Sequence, residues 1–262
     1  MSKSAWIAAT FSLAACGPAA QQDTPAPTVE GDAAATASDA AADVHVQKPI
    51  DPGCTAPPEV SSTPGTVEDT VTLINALKAQ QEGALTLSCF LQSLSRPFPA
   101  LATKSVFSAQ PARGARNPRF FIFSDQLVMS VVPIGDGRPL LELAAYTTAT
   151  RSVKAEILFP IEAPLAYDTP YERIRYGEKT LCGACHANEE RVDGVVGADR
   201  FESAVLRPRP SEIVKLDYVR NESETCDPSI DPERCDILSA IFAHGELTQG
   251  AFSTDAHTIF DQ

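Results

Sequence analysis

Two cysteines and a histidine stand at a spacing that could do chemistry. The chain reads Cys182-Gly183-Ala184-Cys185-His186. Two thiols three residues apart lie close enough to form thioethers with the two vinyl groups of one porphyrin, and the imidazole that follows can turn under the iron as an axial ligand. The spacing therefore predicts one covalent haem, with Cys182 and Cys185 as attachment residues and His186 as the proximal iron ligand.

At these three residues the chain resembles the c-type cytochromes. The resemblance implies a cytochrome c-like haem domain over residues 166–262, carrying one haem c. It also implies a role as an electron carrier or as a redox subunit that exchanges electrons with another protein.

The sixth iron ligand is the point at which the chain departs from that family. Small cytochromes c place a methionine after the motif, and this chain has no methionine beyond Met129. His244 is the first candidate for the distal ligand, because it follows the motif at about the expected distance, and His257 is the second. Met129, upstream in a predicted strand, is a third candidate. An open iron position would instead permit binding of NO, CO or peroxide, as in a sensor or a peroxidase-like enzyme.

Other interpretations of the motif remain open. A thioredoxin-like thiol pair requires a preceding buried strand, and residues 171–179 are too charged for one. A zinc site could be completed by Cys226 and Cys235, although the sequence gaps are wide. A disulfide between Cys182 and Cys185 would leave His186 unexplained.

The N-terminus reads as an export signal. Residues 1–3 include a lysine, and residues 5–15 form an apolar run that is too short to cross a bilayer as a helix. The following Leu-Ala-Ala-Cys, ending at Cys16, resembles the lipobox of bacterial lipoproteins. The resemblance implies that residues 1–15 are removed, that Cys16 is acylated, and that the chain is anchored to the cell envelope, with Gly17 indicating the outer membrane. An ordinary secretory signal is the alternative.

Residues 16–53 are rich in Ala, Pro, Thr and Asp and contain almost no large apolar side chain. Such a segment cannot bury enough surface to offset its ordering entropy, so a disordered tether is predicted. Order is expected to begin near Cys54.

The remaining cysteines fit an oxidising compartment. With Cys16 assigned to lipid and the motif cysteines to haem, four are left, and four allow three pairings. The simplest pairing joins neighbours in sequence: Cys54 with Cys89, and Cys226 with Cys235. An even remainder is typical of an exported protein.

Hydrophobic periodicity predicts an α+β protein in two parts. A helix is expected from Thr66 to about Gly83, and a second apolar piece over 85–94 favours a helix. Four segments with β-branched and aromatic residues then predict neighbouring antiparallel strands at 119–123, 126–132, 140–145 and 152–159. In the last of these, Lys154 and Glu156 alternate with apolar residues, which predicts a half-exposed sheet. No catalytic spacing was found in this β-rich part, residues 54–165, and a scaffold or docking module is expected.

The last third is predicted to be mainly helical and cytochrome c-like. A helix is expected to open at Arg209-Pro210 and to face a core with Ile213, Leu216 and Val219, or with Val214 and Tyr218. A second is expected from the N-cap Asp231 to Gly245.

The negative net charge of the chain limits the classes of binding partner. The formal net charge is −13, which argues against nucleic acid and against an anionic membrane surface as binding partners. A basic redox protein would be the natural electrostatic complement, while membrane attachment would come from the lipid anchor. Without haem, the chain would be a disulfide-stabilised envelope protein that acts through interactions.

Overall fold

The computed structural model describes residues 47–192 and 199–261. This part holds five α-helices: α1 Val67–Ala79, α2 Leu87–Ser93, α3 Thr169–Glu172, α4 Leu216–Glu224 and α5 Pro232–Phe242. Its strands are β1 Phe98–Thr103, β2 Arg119–Ser124, β3 Leu127–Val131, β4 Leu140–Thr148, β5 Arg151–Leu158, β6 Arg175–Tyr176, β7 Lys179–Thr180, β8 Glu190–Val192, β9 Arg200–Ala204, β10 Ile213–Val214 and β11 Leu247–Gln249.

One nine-stranded sheet dominates the described residues. Its order is β10-β1-β2-β3-β4-β5-β9-β8, and β11 pairs with β1. Neighbouring strands are antiparallel except β1 and β11, which are parallel. The outer edge of β1 is covered by β11 along its first half and by β10 along its second, so little of that edge is left unpaired.

One face of the sheet packs on helices. Phe120, Met129 and Leu141 are fully buried on this face, in the same hydrophobic cluster as the apolar sides of α1, α2 and α5. The rings of Phe120 and Phe242 meet edge to face at 5.8 Å, which ties β2 to α5.

Side chains on the opposite face are largely polar. Successive strands place Ser130 opposite Glu142, Glu142 opposite Glu156, and Ala144 opposite Lys154. Because side chains alternate along a strand, these residues all point away from the helical layer. They form the floor of the cleft described below.

Several predicted elements are confirmed. Helix α1 begins after Thr66, whose side chain accepts from Asp69 N while the Asp69 carboxylate accepts from Thr66 N, as a capping box requires. Residues 85–94 contain helix α2, and the four predicted strands are β2 to β5 in sequential antiparallel order. Helix α5 is capped by Asp231, whose side chain accepts from Arg234 N.

The prediction of a mainly helical, cytochrome c-like C-terminal part is wrong. After residue 165 the chain adds four strands to the large sheet, with β9 pairing with β5 and both β10 and β11 pairing with β1. The predicted helix at Arg209-Pro210 is a short 3-10 turn followed by β10, and the α-helix begins only at Leu216. Tertiary pairing with the free edge of β1 outweighed the helical spacing of the apolar residues.

Two disulfides lie in the described part, Cys54–Cys89 and Cys226–Cys235. This is the pairing of sequence neighbours given above. Among residues 47–192 and 199–261, no helix has the length and apolar character needed to cross a membrane. The signal segment, Cys16 and most of the predicted tether lie outside the described residues.

Candidate functional site: a cleft closed by the cysteine-histidine motif

The motif lies on a tight turn at the margin of the sheet. The hairpin β6–β7 leads into a 3-10 turn, Leu181–Ala184. Leu181 N donates to Ile174 O at 2.9 Å, and His186 N donates back to Cys182 O at 2.9 Å. These bonds fix the direction in which His186 leaves the turn.

A carboxylate clamps the base of this turn. Glu189 accepts from Thr180 N at 3.0 Å and from the Thr180 hydroxyl. Its carboxylate also fills the space beside Gly183, where an added Cβ would come within 2.9 Å of the Glu189 side chain. Glycine at position 183 therefore allows the carboxylate to approach the turn closely.

The turn is docked on β9 and β5. Ala204 N donates to Ala187 O at 3.0 Å, and the Arg151 guanidinium donates to Asn188 O at 3.0 Å. Asn188 has a φ of 59°, a left-handed conformation that asparagine tolerates better than most residues. The motif is thus held by bonds to strands far from it in sequence.

His186 has one defined tautomer. Its Nδ1 lies 2.7 Å from Ala204 O. A carbonyl oxygen can only accept, so Nδ1 carries the proton and donates it. Burial lowers the pKa of His186 to about 3, with the nearby Lys154 charge as a further cause. The ring is therefore neutral at physiological pH, with the lone pair on Nε2.

The two motif cysteines differ in state. Burial raises the pKa of Cys182 to about 12, with the Glu142 carboxylate acting in the same direction, so Cys182 stays a protonated thiol. Cys182 is the free cysteine of the described part. Cys185 is oxidised and is not a free thiol.

Lys154 is the unexpected member of the site. Only 6% of the residue is exposed. Its Nζ donates to the Ser152 hydroxyl and, at 3.3 Å, to Ala204 O, the same carbonyl that His186 uses. Burial lowers the pKa of Lys154 to about 8. Among the described residues, no carboxylate lies within salt-bridge distance of Nζ.

These groups border a cleft of about 240 Å³ over the polar face of the sheet. Its floor is formed by β2 to β5, through Arg119, Phe121, Ser130, Glu142, Lys154 and Glu156. Its walls come from three loops that contribute Phe107, Leu181, Cys182, His186, Phe252 and Phe260. The cleft therefore combines aromatic walls with a charged floor, a composition common in small-molecule sites.

Most charges on the floor are paired. Arg119 donates to Ser130 Oγ at 2.5 Å and forms a salt bridge with Glu142. Glu156 pairs with Arg173 at 2.6 Å, yet burial raises its pKa. Each carboxylate on the floor thus has an arginine partner, which leaves the ammonium of Lys154 as the charge without a counter-ion.

Neither predicted distal histidine borders the cleft. His244 Nδ1 lies 3.1 Å from Lys48 O, near the end of α5. His257 is exposed, and its carbonyl accepts from Arg207 N at 2.9 Å. Met129 is fully buried on the helical face of β3. As far as the structure describes the chain, none of the three lines the cleft.

Sequence reasoning missed Lys154, Glu142 and the Ala204 carbonyl. Lys154 was predicted to face solvent, because alternation in β5 identifies the polar face without telling what covers it. The sequence held part of the information needed to find these residues, since a lysine and glutamates recur on one face of consecutive predicted strands. What covers that face is decided by the loops that carry Phe107, the motif and Phe260.

Comparison with protein-family models, curated proteins and solved structures finds no match to this chain. The resemblance to c-type cytochromes is therefore corrected. The motif lies on a turn beside a large β-sheet and not within a helical domain, and no family model supports membership. In residues 47–192 and 199–261, no group of three or more His, Cys, Asp or Glu side chains could hold a metal ion.

Proposed function

We propose that the cleft binds one haem, attached through Cys182 and Cys185 with His186 as the iron ligand, in a redox protein whose fold is not that of the cytochromes c. The single observation that carries the proposal is the state of His186. Its Nδ1 donates to Ala204 O at 2.7 Å and its pKa is about 3, so Nε2 has a lone pair at every physiological pH. A metal-ligating histidine typically has its other ring nitrogen held by such a carbonyl.

The other residues of the cleft fit the same group. Cys182 remains a protonated thiol and borders the cleft, as addition of a thiol across a vinyl group requires. Aromatic walls from Phe107, Phe121 and Phe252 suit a flat apolar ring. Bound there, haem would supply a one-electron iron couple.

Two features of the cleft, the oxidised state of Cys185 and the cleft volume, set conditions on haem attachment. Cys185 must be in the thiol form before it can make a thioether. The cleft of about 240 Å³ is below the range of about 300–1,000 Å³ usual for ligand pockets, so a bound ring would need a wider cleft than the structure shows.

A cell-envelope location completes the proposal. The two disulfides of the described part are typical of an oxidising compartment. Acylation at Cys16 is proposed from the sequence alone, as is electron exchange with a basic protein partner.

A second function is favoured by the placement of the histidines. Because His244 and His257 do not border the cleft, the iron would keep an open position for NO, CO or peroxide. A reduced haem protein that binds CO without displacing a protein ligand would support this second function. A six-coordinate spectrum lost in His244→Ala would contradict it.

Intact mass and the pyridine spectrum of the purified protein test the main proposal. The protein is made in a bacterium that has haem-attachment machinery and is then extracted with acid acetone. We expect the wild-type mass to include one haem and the acyl groups. His186→Ala should contain no haem, and a smaller fraction of Cys182→Ser should contain it. His244→Ala is the matched control, because it removes a histidine outside the cleft, and we expect it to retain haem. A wild-type mass equal to that of the acylated chain alone would contradict haem attachment.

A further inference from the structure

We infer that Lys154 is a positioning residue that weakens the bond between His186 and the Ala204 carbonyl and so raises the reduction potential of the proposed iron centre. The inference rests on the proposed function for its effect on iron. Its first part, the hydrogen bond, concerns the chain alone.

The shared acceptor is the starting point. Ala204 O accepts from His186 Nδ1 at 2.7 Å and from Lys154 Nζ at 3.3 Å. A second donor, carrying a positive charge, draws electron density from the oxygen. The imidazole proton is then held less strongly by the carbonyl, and Nε2 becomes a weaker electron donor.

The charge of Lys154 acts in the same direction. The neighbouring charges come in pairs, since Glu142 is bound by Arg119 and Glu202 by Arg151 at 2.7 Å. Lys154 has no such partner in the described part, and only 6% of it is exposed. A buried positive charge beside the iron ligand disfavours the ferric state, which carries one more positive charge than the ferrous state.

The hydrogen bond can be tested without haem. In haem-free protein labelled with ¹⁵N-histidine, the Nδ1 proton of His186 reports the strength of its bond. We expect this resonance to move downfield in Lys154→Met, because the carbonyl then serves one donor. Lys179→Met, which removes an exposed lysine close to the motif, should leave it in place. An unchanged resonance in Lys154→Met would overturn the inference.

The effect on iron is tested by potentiometry of the haem-loaded protein at pH 6. Lys154→Met should lower the ratio of ferrous to ferric protein about tenfold at a fixed solution potential, which is about 59 mV for one electron. Lys179→Met should give no more than a small part of that change, because its charge is screened by water.

A second variant separates charge from hydrogen bonding and guards against misfolding. Lys154→Gln keeps a donor towards Ala204 O and loses the charge, so its potential should lie between those of the wild type and Lys154→Met. An unchanged potential in loaded Lys154→Met and Lys154→Gln would overturn the inference and leave haem binding intact. A wild-type protein without haem would instead overturn the proposed function, and with it the effect on iron.

Discussion

A neutral imidazole and a protonated thiol lie side by side in the cleft, and burial is the main cause of both states. It lowers the pKa of His186 to about 3 and raises that of Cys182 to about 12. Water stabilises the charged form of either group less well in the cleft than in the unfolded chain. The site therefore offers a nitrogen lone pair over the whole physiological pH range, while Cys182 is a poor nucleophile because little of it is thiolate.

The low pKa of His186 predicts that the haem-free protein is less stable in acid. The unfolded chain takes up a proton on His186 as the pH falls below about 6.5, while the folded chain does so only near pH 3. This contribution to the free energy of unfolding is thus present above pH 6.5 and is lost as the pH falls. We expect a loss of roughly 1–2 kcal/mol between pH 6.5 and 5.

Urea unfolding at several pH values measures this loss. His186→Phe should lack that part of the pH dependence, and His257→Phe, at an exposed site, should keep it. The same pH dependence in the wild type and in His186→Phe would contradict the low pKa of this imidazole.

The turn that carries the motif depends on close packing within a single short element. Glu189 holds Thr180 by two hydrogen bonds and fills the space beside Gly183. Neither bond connects to the hydrophobic core, so Glu189 stabilises the conformation of the turn more than that of the sheet. Its role is to fix where Cys182 and His186 point.

Gly183→Ala should therefore disturb this element. The new Cβ would meet the Glu189 carboxylate at 2.9 Å. Moving this carboxylate breaks its hydrogen bonds to Thr180, which costs about 1–3 kcal/mol in unfolding free energy. Gly83→Ala is the matched control, because a Cβ there meets nothing within 4 Å, and it should change stability by less than about 0.5 kcal/mol. Equal effects of the two substitutions in thermal unfolding would argue against the clamp.

The disulfides act at the scale of the whole molecule. Cys54–Cys89 closes a loop of 35 residues and lies in the core cluster, while Cys226–Cys235 closes one of 9 residues. Longer loops lose more entropy when cross-linked, so the first disulfide restricts the unfolded chain more.

Removing each disulfide by paired alanine substitution should therefore give unequal losses. We expect about 4 kcal/mol for Cys54–Cys89 and about 3 kcal/mol for Cys226–Cys235 in urea unfolding. Cavities left at Cys54 and Cys89, which are 6% and 5% exposed, should widen the difference. A larger loss for Cys226–Cys235 would mean that native contacts, and not loop entropy, decide the order.

Local signals allowed much of the fold to be predicted. The capping residues Thr66 and Asp231 marked helix starts because a side-chain oxygen can satisfy the first free backbone N–H groups. Alternation identified β2 to β5, since side chains in a strand point to opposite faces. The motif at Cys182, Cys185 and His186 was likewise visible from spacing alone.

The sequence by itself determined the motif, the strands β2 to β5 and the helix starts, because each depends on residues close together in the chain. Only the tertiary structure decided that β9 joins β5 and that β10 and β11 join β1. It alone brought Lys154 and His186 to one carbonyl of Ala204. Such meetings depend on sheet register and on which loop covers a polar face, and both are set by the packing of segments far apart in sequence.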